Sequence, residues 1–178
     1  LKNSKMQEEI KITKERIAVL IGEKGTSKRK IEKEMNTRIQ VNSEDGEVIV
    51  SGEDSLSVLI TVSMVKAIGR GFNPNKAFLL KNELYMFDSV SIQDYAGTSK
   101  KSEERLRSRI IGTDGKARKT IELMTNTFIS VYGKTVGIIG KQEGVYMARR
   151  AIEIILNGAP QTHAYMWIRK QKEAEELS

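Results

Sequence analysis

The 178-residue chain contains no cysteine, so it has no disulfide framework, thiolate nucleophile or thiolate metal ligand. That fits a reducing interior and, with the features below, a cytoplasmic location. Histidine occurs once, at His163, with no partner clustered around it; it is a poor metal or acid/base candidate and is read as a surface or capping residue. No apolar run approaches the roughly 20 residues that span a bilayer, so no membrane partner is expected. Leu1-Lys2-Asn3-Ser4 has no hydrophobic stretch of the signal-peptide kind, and with no initiator Met the sequence is expected to start from a trimmed or tagged end. Aromatic residues are few, at 6%, but 39% hydrophobic and 30% charged residues describe an ordinary core-forming protein, not a disordered one.

Catalytic signatures are missing too. A phosphate-binding loop of the Gly-x-x-x-x-Gly-Lys-Ser/Thr type is absent: Gly140-Lys141-Gln142 lacks the earlier glycine and the hydroxyl. Gly-x-Ser-x-Gly is absent, and most carboxylates neighbour Lys or Arg in the usual solvated pattern. Asp88, Asp94 and Asp114 are the candidates for a metal-dependent nuclease, but nothing groups them. No enzymatic activity, cofactor or metal is expected.

What the chain has is positive charge and a repeat. Lys and Arg number 30 against 23 Asp and Glu, a net charge of +7, which favours a polyanionic partner. Ile21-Gly22-Glu23-Lys24-Gly25 recurs as Ile111-Gly112-Thr113-Asp114-Gly115, an offset of 90. The same offset pairs Ile31-Glu32 with Ile121-Glu122, Asn36-Thr37 with Asn126-Thr127, Ile39 with Ile129 and Val41 with Val131. A short Gly-x-x-Gly arises easily by chance; two arrays of matching apolar and polar positions point to a duplicated domain.

Each copy reads strand, helix, helix, strand, strand, helix. Ile10 and Ile12 alternate as a strand, Thr13 caps a helix that Gly22 breaks, and a second helix runs to Asn36. Strands follow at Arg38 to Asn42 and Val48 to Val50, then a long helix capped at Asp54 or Ser55 and running to Arg70. The second copy gives Tyr85 to Ile92, Ser102 to Ile111, Lys116 to Thr125, Phe128 to Tyr132, Thr135 to Ile139 and Glu143 to Leu156. The expected fold class is α+β, each copy a three-stranded antiparallel sheet with three helices on one face. Domain boundaries are placed at 5–73 and 85–159, with a connector at 74–84 in which Lys76 to Leu84 has helical character. A C-terminal extension, 160–178, is expected to pack Tyr165, Met166 and Ile168 against the body, to use Tyr165 or Trp167 as an anchor, and to fray from Lys170 onward.

A two-glycine turn between helices lets another chain approach the backbone closely, because glycine has no Cβ. The helix beginning there offers free N–H groups and the positive end of its dipole, a seat for phosphate. Basic side chains flank both seats: Lys24, Lys28, Arg29 and Lys30 in the first, Arg105, Arg107, Arg109, Lys116, Arg118 and Lys119 in the second. The strands Arg38 to Asn42 and Phe128 to Tyr132 would form the far walls of grooves with apolar floors, Ile111 among the floor or core residues. Tyr132 is read as packing rather than base stacking.

Ile-Gly-x-x-Gly between two helices, followed by Ile-Glu and a β-β-α tail, resembles the KH domain of the eukaryotic (type I) order, over nearly all of Lys5 to Ala159. In that family the turn clamps the backbone of about four nucleotides. The second copy is the closer match. Arg109-Ile110-Ile111-Gly112, Ser130 to Val136, Ile138-Ile139-Gly140 and Asn157-Gly158-Ala159-Pro160 resemble the archaeal and eukaryotic pre-ribosomal family called partner of Nob-one, or Dim-two. That resemblance implies single-stranded RNA binding near the 3′ end of small-subunit rRNA, with the Nob-one endonuclease and other assembly or initiation factors as partners, and an archaeal source. The RNA site it implies comprises Gly22, Glu23, Lys24, Gly25, Lys28 and Arg29 in the first copy, and Arg107, Arg109, Ile111, Gly112, Thr113, Asp114, Gly115, Lys116, Arg118 and Lys119 in the second. Both turns carry an acid, Glu23 or Asp114, which opposes a phosphate; the denser basic surround makes the second copy the expected main contact. Two alternatives stay open: a tandem KH binder serving transcription or RNA decay, and a protein-interaction scaffold with degenerate KH folds.

Overall fold

A computed structural model describes residues 5–178; the reading of Leu1 to Ser4 lies outside the described residues. The chain divides into two compact units, one ending at Glu83 and one beginning at Leu84.

The first unit runs β1 (Met6–Lys11), α1 (Lys14–Ile21), α2 (Thr26–Met35), β2 (Arg38–Asn42), β3 (Glu47–Gly52) and α3 (Ser55–Gly69), then a short α4 (Pro74–Ala77) and a 3-10 turn, Phe78–Lys81. Its antiparallel sheet has the order β1-β3-β2. The period of two in β3 sends Val48 and Val50 inward, opposite Ile10 and Val41 and opposite Ile39. The helices cover that face with Ile17, Leu20, Ile31, Val58, Val65 and Ile68, all excluded from solvent. Thr13 and Asp54 cap α1 and α3 by accepting from the amides of Arg16 and Ser57. The segment after α3 is tied to the unit: Lys81 pairs with Glu34, and the Lys30 ammonium lies 4.4 Å from the Phe78 ring centre.

The second unit repeats the order with additions: β4 (Tyr85–Ser91), α5 (Gln93–Ala96), α6 (Lys100–Ile111), α7 (Lys116–Thr125), β5 (Phe128–Tyr132), β6 (Thr135–Lys141), α8 (Gln142–Leu156) and α9 (Gln161–Glu176). The sheet order is β4-β6-β5, again antiparallel. Val136 and Ile138 face a core completed by Ile110, Ile121, Ile129, Ala148, Ile152 and Ile155. Arg149 pins α8 to the edge strand, donating to Asp88 at 2.8 Å and to the Ser89 carbonyl at 3.1 Å. Asp88 and Glu153 together hold that guanidinium above its ordinary pKa.

Several local expectations need correction. The helix expected from Ser102 starts at Lys100, because Ser99 accepts from the Ser102 amide and caps it. The short α5 has no counterpart in the first copy's pattern. β6, expected over Thr135 to Ile139, runs on to Lys141, and Thr135 to Gly140 are all buried. The extension does not fray at Lys170 but stays helical to Glu176, held in part by Lys172 donating to the Met124 carbonyl at 2.8 Å. Ala164 and Ile168, four apart, form its buried seam, with Tyr165 and Trp167 both packed on the core from its flanks. Met166 turns to solvent, 51% exposed.

Candidate nucleic-acid interface

Each Gly-x-x-Gly forms a tight turn between two helices. In the second unit Gly112 ends α6 at φ 74°, Asp114 takes φ 53°, and Gly115 takes φ 73° as the residue preceding α7. The first unit repeats the geometry with Gly22, Lys24 at φ 52° and Gly25. The two glycines of a turn do different jobs. A Cβ on Gly112 would lie 2.7 Å from the Ala117 Cβ and 2.8 Å from the Ala117 amide, so this position lets the two helices close on each other. A Cβ on Gly115 would meet only the ends of the Lys119 and Arg118 side chains, beyond 3.6 Å; its left-handed backbone faces open space. No side chain caps α2 or α7. The amides of Thr26 and Lys116 turn back to the carbonyls of Glu23 and Thr113, and beyond them each helix start presents the positive end of its dipole, which favours an anion.

The basic residues around the turns fall into two kinds. Some hold the frame. Arg107 donates to the Gly133 carbonyl at 3.0 and 2.6 Å and pairs with Glu103, fixing the β5–β6 hairpin to α6. Arg109 donates to the carbonyls of Ile155 and Ala159 at the end of α8. Arg29 donates to the Lys24 carbonyl at 2.6 Å and braces its own turn. Lys28 pairs with Glu32, and Arg118 with Glu122, at equivalent places. The others project into solvent: the ammonium groups of Lys24, Lys116 and Lys119 have no partner among the described residues, and all three residues are exposed. Glu23, Thr113 and Asp114 are exposed beside them, while Ile111 is half-buried under the turn.

In the first unit a groove of about 790 Å³ opens between α2 and β2. Ile21, Gly25, Lys28, Arg29 and Glu32 line one side; Arg38, Ile39, Gln40 and Val41 line the other. Its width is set by Glu32, whose carboxylate accepts from the Ile39 amide at 2.8 Å as well as from Lys28. In the second unit a cavity of about 470 Å³ lies along α7, lined by Arg118, Lys119, Glu122, Leu123, Asn126, Thr127 and Phe128. Gly22 to Arg29 thus surround the first turn, and Ile111 to Lys119 the second. Arg107 and Arg109 are also on α6, with their guanidinium groups engaged on the hairpin and on α8. Phe128 opens the strand expected as the far wall, whereas Leu123 is no candidate from the sequence: a lone leucine on an otherwise polar helix face gives no signal until the neighbouring strand is in place.

Asp88 is held by Arg149, and among the described residues no three His, Asp or Glu side chains are grouped to hold a metal ion. No helix among them is long and apolar enough to cross a membrane.

Comparison with known proteins matches residues 86–173 to a eukaryotic-type (type I) KH-domain model and residues 7–67 to a KH-domain model. A KH domain-containing protein from Methanocaldococcus jannaschii is 40% identical over 168 residues, which cover 92% of this chain and 73% of that protein. The RNA-binding protein pno1 of Dictyostelium discoideum is 29% identical over 121 residues, covering 67% of this chain and 50% of that longer protein. The crystal structure of an a/eIF2alpha–aDim2p–rRNA complex from Pyrococcus horikoshii contains a chain that superposes with a TM-score of 0.89 at 41% identity, covering 96% of both chains.

Proposed function

Because the chain belongs to the family of two-KH-domain proteins that includes pno1 and archaeal Dim2p, we propose that it binds single-stranded rRNA during maturation of the small ribosomal subunit. On this reading it holds a segment near the 3′ end of the small-subunit rRNA, mainly through the second unit. It acts in the cytoplasm, as a binder and not a catalyst. The Nob-one endonuclease and initiation factors are the partners that follow from the family; a relative crystallised with rRNA and an initiation-factor subunit supports the latter class.

The observation that carries the reading is the uncapped start of α7 behind a left-handed Gly115, with Lys116 and Lys119 unpaired beside it. A helix N-terminus and two exposed cations suit a phosphodiester, which offers negative oxygens at regular spacing but no fixed side-chain shape. The first unit has the same backbone seat and a wider groove, and each unit carries an acid in its turn and one in its wall, but where the second has exposed Lys116 and Lys119 the first has Thr26 and an Arg29 that braces its own turn. The second unit is therefore assigned the larger share of affinity.

The test is a fluorescence-anisotropy titration with an RNA copying the rRNA 3′ end, a scrambled RNA and the equivalent DNA, at two salt concentrations. Preference for the rRNA end, with affinity falling as salt rises, is expected. Thr113→Asp, at an exposed turn position, should lower affinity at least fivefold, and an equivalent acid at Lys24 should do less. Equal binding of both RNAs leaves a general KH binder of transcription or decay. Absence of binding to every nucleic acid overturns the proposal in favour of a protein-docking role.

A further inference from the structure

We propose that the RNA groove of the second unit continues beyond the glycine turn into a subsite at the C-terminal end of α7, where Leu123 and Phe128 flank the base of one additional nucleotide. This rests on the reading that the second turn seats RNA, and extends it. The cavity of about 470 Å³ is the observation behind it. Four of its lining residues, Arg118, Lys119, Glu122 and Phe128, stand at the offset of 90 from Lys28, Arg29, Glu32 and Arg38, which line the first unit's groove. The space is therefore the turn-distal part of the same groove. It differs in running one helical turn further, to Leu123 and Asn126.

The chemistry of that extension suits a nucleotide. Leu123 is 84% exposed on an otherwise polar helix face, in the place where the first unit has Lys33, and the strand opposite begins with Phe128 where the first has Arg38. Two charged positions of one copy are thus apolar in the other, on the two walls of one opening. Bases present a π-face to such surfaces whatever their identity. Lys119, exposed and unpaired, stands at the near rim for the connecting phosphate. Asn126, exposed at φ 51°, presents an amide at the far rim that can both donate to and accept from a base edge. Charge complementarity and continuity with the seat favour the next nucleotide of the same strand over a protein side chain.

The experiment uses the whole chain and two rRNA-end oligonucleotides, one spanning only the roughly four nucleotides of a KH seat and one longer by two on each side. Wild-type protein should bind the longer RNA more tightly. Leu123→Ala, at a site too exposed to disturb folding, should lower affinity for the longer RNA about fivefold and leave the shorter one unchanged. An abasic nucleotide at the extension should cost wild type the same factor and cost the variant nothing more. Equal affinity of wild type for both lengths, or equal loss on both RNAs in the variant, overturns the subsite while leaving the seat intact. Failure of wild type to bind either RNA overturns the seat, and the subsite with it.

Discussion

Replacing Asp114 by lysine should turn the weaker feature of the second seat into an asset. Asp114 is exposed in the turn at φ 53° and ψ 28°, and Lys24 takes φ 52° and ψ 28° at the matching place in the first unit, so the backbone accepts lysine there. The substitution changes the local charge by two units. At a phosphate about 6 Å away each unit is worth roughly 0.7 kcal/mol in water, and ions at physiological strength, with a Debye length of about 8 Å, cut that by about half. Affinity should rise between threefold and tenfold at physiological salt. The new cation displaces a counterion, so the slope of log K against log salt should steepen by at least about 0.7 for a single strand. Titrations at four salt concentrations measure both quantities, with circular dichroism confirming the fold. Unchanged affinity and slope in a folded Asp114→Lys protein would refute the placement of phosphate at this turn.

Other expectations concern the frame. Gly112→Ala should destabilise the second unit by about 3 kcal/mol or more, since its Cβ would meet Ala117 backbone from a left-handed residue, whereas Gly115→Ala should cost about 1 kcal/mol, from backbone strain alone; urea unfolding separates the two. Arg109→Met should cost about 2–3 kcal/mol by stranding the Ile155 and Ala159 carbonyls, and Arg16→Met should do similarly to Ile68 and Phe72, both read as lower urea midpoints. Glu47 shares a hydrogen bond with Glu9, and that bond together with their mutual repulsion raises its pKa above the ordinary glutamate value. The folded state then binds more protons than the unfolded one just above that ordinary value, so stability falls as pH rises through the raised pKa. Glu47→Gln should raise the melting temperature at pH 7, and the gain should vanish toward pH 4; a gain independent of pH would exclude this pair as its source.

The duplicated order, the helix–turn–helix around each glycine pair and the buried Ile31 and Ile121 were legible because local periodicity and an internal repeat carry them. The roles of the arginines were not. Arg107 and Arg109 sit in a run of positive charge that reads as an electrostatic flank, yet both spend their donors on carbonyls 26 to 50 residues away, positions fixed only when the hairpin and α8 have docked. The polar tail from Lys170 reads as a fraying end; its helix is an extension of the Ala164–Ile168 seam, and packing upstream decides its state. Thr-Val-Gly-Ile-Ile-Gly does not alternate, and β6 is accordingly buried on both faces.

Comparing the two copies separates what the fold requires from what recognition is free to vary. Both units use an arginine of the first helix to hold the carbonyls ending the third, but from different turns: Arg16 reaches Ile68 and Phe72, and Arg109, three residues beyond Arg16's counterpart Leu106, reaches Ile155 and Ala159. The same requirement met from two positions marks the capped helix end as structural. The acid four residues after the groove cation is likewise common, as Lys28–Glu32 and Arg118–Glu122, and in the first unit it also grips the strand amide that sets the groove's width. Differences collect elsewhere, at the turn, where Glu23-Lys24 stands against Thr113-Asp114, and at the far mouth, where Lys33 and Arg38 stand against Leu123 and Phe128. Those four pairs lie on exposed or half-buried surface and carry none of the core, so exchanging them between units should transfer binding preference without transferring stability.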